Sequence, residues 1–177
     1  FWHFRFDAHA NMKLDILTDF IAADEDIKSM YIIGQDYSFG QVVSDTTIRL
    51  LNEKRPDIEI VGNEFHPIGQ VKDFTPYVTK IVSSGADAVI TGNFGADMVS
   101  LARSIIDSGL DIPIYTFYAA YDGITATLGE SGKDRIRLVH NGVANPLPTE
   151  LRKQFNRDFK IAHPNYDVTQ PRIVNAL

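Results

Sequence analysis

Few side chains in this sequence are spaced for chemistry. The five histidines, His3, His9, His66, His140 and His163, stand far apart, without the short spacing that lets two imidazoles share a metal ion. There is no cysteine. That excludes disulfides, thiolate metal sites and a cysteine nucleophile, and it leaves the compartment open. No G-x-S-x-G elbow occurs. The stretch "GQDYSFG" (34–40) has two well-separated glycines but neither the inner glycines of a dinucleotide fingerprint nor the terminal Lys-Ser/Thr of a phosphate loop. Asp36, Asp97 and Asp122 carry groups suited to acid or base work, yet each precedes or opens an expected helix, where Asp is favoured as an N-cap. No catalytic residue, metal site or cofactor is expected.

The elements that would position any site come from periodicity. "KSMYIIGQD" runs from a polar flank through Met30, Tyr31, Ile32 and Ile33 to Gly34, the profile of a strand buried on both faces. From Phe39 to Arg55, Val43, Thr47, Leu50 and Leu51 recur at helical spacing until Pro56 stops the pattern. "DIEIVGNEF" alternates as a strand, and "HPIG" breaks it. Phe74, Tyr77, Val78 and Ile81 then mark a helix face, with Asp73 as its expected cap and Pro76 in its first turn.

"KIVSSGADAVITGN" and "SIIDSGLDIPIYTF" are echoes of one another: each passes from a helix end through a glycine suited to a left-handed C-cap into a buried strand. Met98, Leu101, Ala102 and Ile105 give the helix between them an inner face. "DGITATLGESG", the strand-like "RIRLVHNGVANP" and the helical "TELRKQFNRDFKIA" follow, while "FWHFRFDAHA" is a short β-like opening ahead of a helix over 11–23. Strands alternating with helices over short connections predict an α/β fold, a three-layer, doubly wound, mostly parallel sheet of five strands with helices on both faces.

Ligands of such sheets bind beyond the carboxyl ends of the strands. Those ends read "GQDYSFG", "HPIG", "GNFGAD", "YTFYAAYDG" and "HNGVANP". His66 and His140 both fall there, so a pairing in space stays open. The dominant feature is aromatic: Tyr37, Phe39, Phe94, Phe117, Tyr118 and Tyr121. Some of these rings are expected to cover the sheet edge as core. Tyr37, Phe94 and Tyr118 differ, because each follows a buried run and is flanked by small or polar residues. Rings with sparse polar groups suit a small, partly apolar molecule rather than a phosphate.

Composition narrows the partners. A net charge of −6, with seventeen Lys and Arg scattered along 177 residues, argues against nucleic acid or an anionic membrane surface. No apolar run approaches the ~20 residues of a bilayer span, and no stretch has the regions of a signal peptide. Phe1 in place of Met, and a final "QPRIVNAL" that reads as the start of an apolar helix, lead us to expect a piece of a larger protein.

"YIIGQDYSFGQ", "DFTPYVTKIVSSGADAVITGNFGAD" and "GLDIPIYTFYA", in this order, resemble the second lobe of the type I periplasmic solute-binding proteins that serve ABC importers. The subgroup they most resemble is the one labelled for branched-chain amino acids. The resemblance implies two α/β lobes that close on a ligand about a hinge, with residues 1–10 as the end of the first lobe and hinge strand. Residues 11–177 would then be the second lobe, truncated before its C-terminal return segment. It implies ligand contacts from Tyr37, from Asn93 and Phe94 of the G-N-aromatic-G turn, and from Tyr118 or Ala119. Amino-acid binders of the family often place an acidic residue at that last position, where this chain has "FYAA". The ligand implied is a small carboxylate: a branched-chain or other hydrophobic amino acid, or an aromatic acid. The partners implied are ABC permease subunits, without nucleic acid or a membrane span, at a periplasmic or other extracytoplasmic location. A ligand-sensing domain of a receptor or regulator is the alternative that the same lobes would serve.

Overall fold

The computed structural model describes residues 8–119, 124–139 and 149–165. Residues 9–139 form one compact unit, and residues 1–8 with 140–177 form another. In the first unit, helix α1 (Ala10–Ala23) precedes four strand–helix repeats: β1 (Ser29–Gln35), α2 (Ser38–Lys54), β2 (Glu59–His66), α3 (Thr75–Ser84), β3 (Ala88–Thr91), α4 (Gly95–Asp107), β4 (Ile114–Thr116) and α5 (Ile124–Leu128). A 3-10 turn over Gly129–Gly132 leads to β5 (Ile136–Leu138). The five strands are ordered β2-β1-β3-β4-β5, and every pairing among them is parallel. In the second unit, helix α6 (Glu150–Ala162) carries the expected "ELRKQFNRDFKIA".

The strand character follows from position in the sheet. β1 is central, so both of its faces are covered and Met30 through Gln35 are all buried. β2 is an edge, and its residues before His66 are only partly buried or exposed. Tyr31, Ile33 and Val89 face one layer, where Val78 and Ile81 of α3, Met98, Leu101 and Ile105 of α4, and Leu128 of α5 complete an apolar cluster. Met30, Ile32 and Ile90 face the other, against Leu14, Leu17 and Ile21 of α1 and Val43, Leu50 and Leu51 of α2. The chain thus winds away from β1 in both directions, and right-handed crossovers put the helices of the two directions on opposite faces.

Gly85 and Gly109 adopt the left-handed backbone expected of helix ends, with φ of 67° and 79°. The cap of α3 differs from expectation. Phe74, not Asp73, occupies the N-cap of α3, and Asp73 sits one residue earlier, accepting the Thr75 N–H at 2.9 Å. Thr75, through its hydroxyl first and then this N–H, still holds the Asp73 carboxyl below its ordinary range. The second glycine of "GQDYSFG" has a packing role. A Cβ on Gly40 would lie 2.0 Å from the Gln35 carbonyl oxygen, so only glycine lets the first turn of α2 approach the end of β1 so closely.

Candidate functional site

The strand order reverses direction at β1, which makes the crevice beyond the ends of β1 and β3 the switch point of the sheet. Tyr37 follows β1 and Phe94 follows β3. Both are the N-cap residues of the helices that begin there, α2 and α4, in extended backbone at φ −164° and −133°. Neither ring can accept the N–H bonds that a Ser or Asp cap would take, and neither cap makes a side-chain hydrogen bond. The expectation that Asp36 and Asp97 cap these helices is therefore corrected. Asp36 is exposed and precedes the cap, and Asp97 lies inside the first turn of α4 with its carboxylate turned inward.

The three singled-out rings meet. Phe94 stands between the other two, its centroid 6.3 Å from Tyr37 and 6.2 Å from Tyr118, edge-on to both. Phe39 underlies the group at 5.9 Å from both Tyr37 and Tyr118, and Phe117 is buried behind it as core. Edge-to-face geometry at these distances is favourable for aromatic pairs. Phe94 is nonetheless 42% exposed, and Tyr37 and Tyr118 are half-buried, so the cluster keeps open apolar surface. Burial pushes the Tyr37 phenol above its ordinary range, which keeps it a neutral donor. On the far side of Tyr118, the ammonium of Lys13 in the first turn of α1 lies 5.9 Å from the ring centroid.

Beneath the rings runs a row of buried polar side chains. The register sets His66 of β2 opposite Gln35 of β1, and extending the Ile33–Thr91 pair by two residues brings Asn93 level with them. His66 Nε2 accepts from Asn93 Nδ2 at 2.8 Å, and Gln35 Nε2 donates to Asp97 Oδ2 at 2.8 Å. The Gly69 N–H donates to the same carboxylate oxygen at 2.8 Å, tying the "HPIG" turn to α4. All four side chains are at most 4% exposed. Gln35 carries no functional signal in the sequence, and Asp97 reads there as a helix cap rather than as part of a buried row. The one available cue was a Gln ending an otherwise apolar strand.

The structure divides the five candidate residues. Tyr37, Phe94 and Tyr118 share one surface; Asn93 and Ala119 have no exposed surface at all. Asn93 belongs to the polar row, and Ala119 packs into the apolar cluster with Ile124 and Leu128. Tyr121, Asp122 and His140 lie outside the described residues, and with them the possible His66–His140 pairing. Among the described residues, no group of three His, Cys, Asp or Glu side chains is placed to hold a metal, and no helix is long and apolar enough to cross a membrane.

A parallel sheet with this strand order, opening on uncharged rings at its switch point, has well-defined relatives. Residues 1–173 match the family described as periplasmic binding protein, and the chain belongs to that family. It is 30% identical, over 172 residues and 94% of its length, to Leu/Ile/Val-binding protein homolog 4 of Brucella abortus, of which it spans 39%. Among solved structures it is similar to the leucine-, isoleucine-, valine-, threonine- and alanine-binding protein from Brucella ovis in its closed conformation. That likeness has a TM-score of 0.78 at 25% identity and covers 99% of this chain and 45% of that one. An ABC transporter solute-binding protein from R. palustris in complex with benzoate shares the fold at a TM-score of 0.78 and 19% identity, over 93% of this chain and 44% of that one.

Proposed function

We propose that the whole protein is the extracytoplasmic substrate-binding component of an ABC transporter, and that this chain supplies one wall of its ligand cleft. In this reading residues 1–10 lead out of the hinge and residues 11–177 belong to the second lobe. Tyr37, Phe94 and Tyr118 are the ligand-facing residues, with Asn93 and Ala119 behind them. A small carboxylate is captured when the lobes close, because the ligand binds the closed state better than the open one. Permease subunits then receive it, and no bond is made or broken.

The observation that carries this reading is the convergence of three half-open rings on the switch point. Two further features support it. The amino ends of α2 and α4 meet the same edge, where helix dipoles favour an anion. The position after β4 carries Tyr118 and Ala119 rather than an acid that would pair with an ammonium. The reading therefore favours a hydrophobic or aromatic acid over a zwitterion.

Titration calorimetry on the intact protein, with benzoate and L-leucine as probes, tests it. Tyr118→Ala is expected to weaken binding by more than ~1 kcal/mol. Unchanged affinity in both Tyr37→Ala and Tyr118→Ala would remove the ring wall from the site.

A further inference from the structure

We infer that His66 is a positioning residue that sets ligand affinity from outside the cleft by holding the turn that carries Phe94. The inference rests on the reading above only in taking Phe94 as a ligand contact. His66 ends β2, the edge strand, and has no exposed surface. Its ring is wedged edge-on against Phe74 at 4.9 Å and Tyr77 at 5.8 Å, both at the start of α3. Its two nitrogens have different partners. Nδ1 lies 3.3 Å from the carbonyl of Pro67, which can only accept, so Nδ1 carries the proton. Nε2 is then a bare lone pair and takes Asn93 Nδ2–H at 2.8 Å. The opposite tautomer would set two N–H donors against each other there and leave the Pro67 carbonyl facing a lone pair.

Asn93 is the residue before Phe94, and its own N–H is tied back to Thr91 Oγ1 at 3.1 Å. The Asn93 side chain thus ties the β3 exit across the sheet to β2, bypassing β1. The His66 carbonyl also accepts the Asp36 N–H at 2.7 Å, one residue ahead of Tyr37. A single buried residue therefore braces both turns that present rings at the switch point. The amide face that Asn93 offers follows from the imidazole's tautomer.

Two measurements test the inference. In the intact protein labelled with 15N-histidine, long-range proton–nitrogen correlation is expected to show His66 with a protonated Nδ1 and an unprotonated Nε2. A protonated Nε2 overturns the lock. The second is affinity for the same benzoate and L-leucine probes. His66→Phe keeps a flat ring but removes the acceptor, and should weaken binding about tenfold. His66→Gln restores an acceptor oxygen and should recover most of that loss. In a Phe94→Ala background, His66→Phe should add less than about twofold, since the two act through one turn.

A loss in Phe94→Ala beside an unaltered His66→Phe overturns the positioning role alone. No loss in Phe94→Ala removes the ring from the site, and the inference with it. A wild-type protein that binds neither probe counts against the proposed ligand class, and the imidazole spectrum still decides the lock, as it does if His66→Phe fails to fold.

Discussion

The two ends of one sheet are built from opposite materials. At the amino end, polar groups are tied off by short bonds. Asp87 Oδ2 accepts the N–H groups of Lys28 and Ser29 at 3.0 and 2.8 Å and the Ser29 hydroxyl at 2.8 Å. Those bonds, the Ser29 hydroxyl first, hold the Asp87 carboxyl below its ordinary range. Arg55 closes the same end, donating to the carbonyls of Ala22 and Ile27 and forking onto Asp57. At the carboxyl end the outermost contacts are between rings about 6 Å apart, and Phe94 remains 42% exposed. Tied-off donors and acceptors have nothing left to offer a ligand. Open rings still have apolar surface to bury, worth about 25 cal/mol per Å². One end holds the fold, and the other is free to do something else.

Four experiments break or sharpen that contrast. The largest effect is expected from Gly40→Ala. Its Cβ would stand 2.0 Å from the Gln35 carbonyl oxygen, which as backbone cannot swing aside. Overpacking of this kind should cost about 3 kcal/mol in urea denaturation and also abolish probe binding, since α2 carries Tyr37. Asp87→Ala comes next, with a loss of about 2 kcal/mol of stability from the orphaned N–H groups and no change in probe affinity. A change in affinity there would show that the two ends are not independent.

Phe94→Ala should give the reverse pattern: affinity weakened by more than ~1 kcal/mol and stability within about 0.5 kcal/mol, because the side chain is nearly half exposed. A large loss of stability would mark the ring as core.

The smallest effect is acid sensitivity at Asp57. Arg55 holds its carboxyl down from 3.8 to about 2. A depressed folded-state value adds stability above the unfolded value and loses it as pH falls through the folded one. Urea midpoints of wild type and Asp57→Asn should therefore converge between pH 3.8 and about 2. Parallel curves through that window would show that the Arg55 fork adds nothing.

Much of the architecture was legible because local patterns and tertiary demands agree. Met98, Leu101, Ala102 and Ile105 announce an inner helix face, and all four are fully buried. The unbroken apolar run of β1 announces a central strand, and the weaker "DIEIVGNEF" proves to be the edge. The rings were legible for a related reason. A large aromatic residue just after a buried strand, flanked by small or polar residues, has little choice but to sit at the sheet's rim. What misled was the assumption that an Asp beside a helix start must cap it. Asp97 is drawn inward instead, by an amide 62 residues away in the chain.

Periodicity, turn residues and the absence of reactive clusters are local properties, so the sequence by itself determined the order of strands and helices, the side each helix buries, and the aromatic character of the strand ends. Only the tertiary structure decided which strand ends are neighbours. The reversal at β1 set Tyr37 beside Phe94, the β3–β4 pairing added Tyr118 on its other side, and packing with Ile124 and Leu128 put Ala119 in the core. The same reversal aligned His66, Gln35 and Asn93 into one buried row. Those outcomes depend on pairing between strands distant in the chain, whose register is settled by the packing of whole faces rather than by any short stretch.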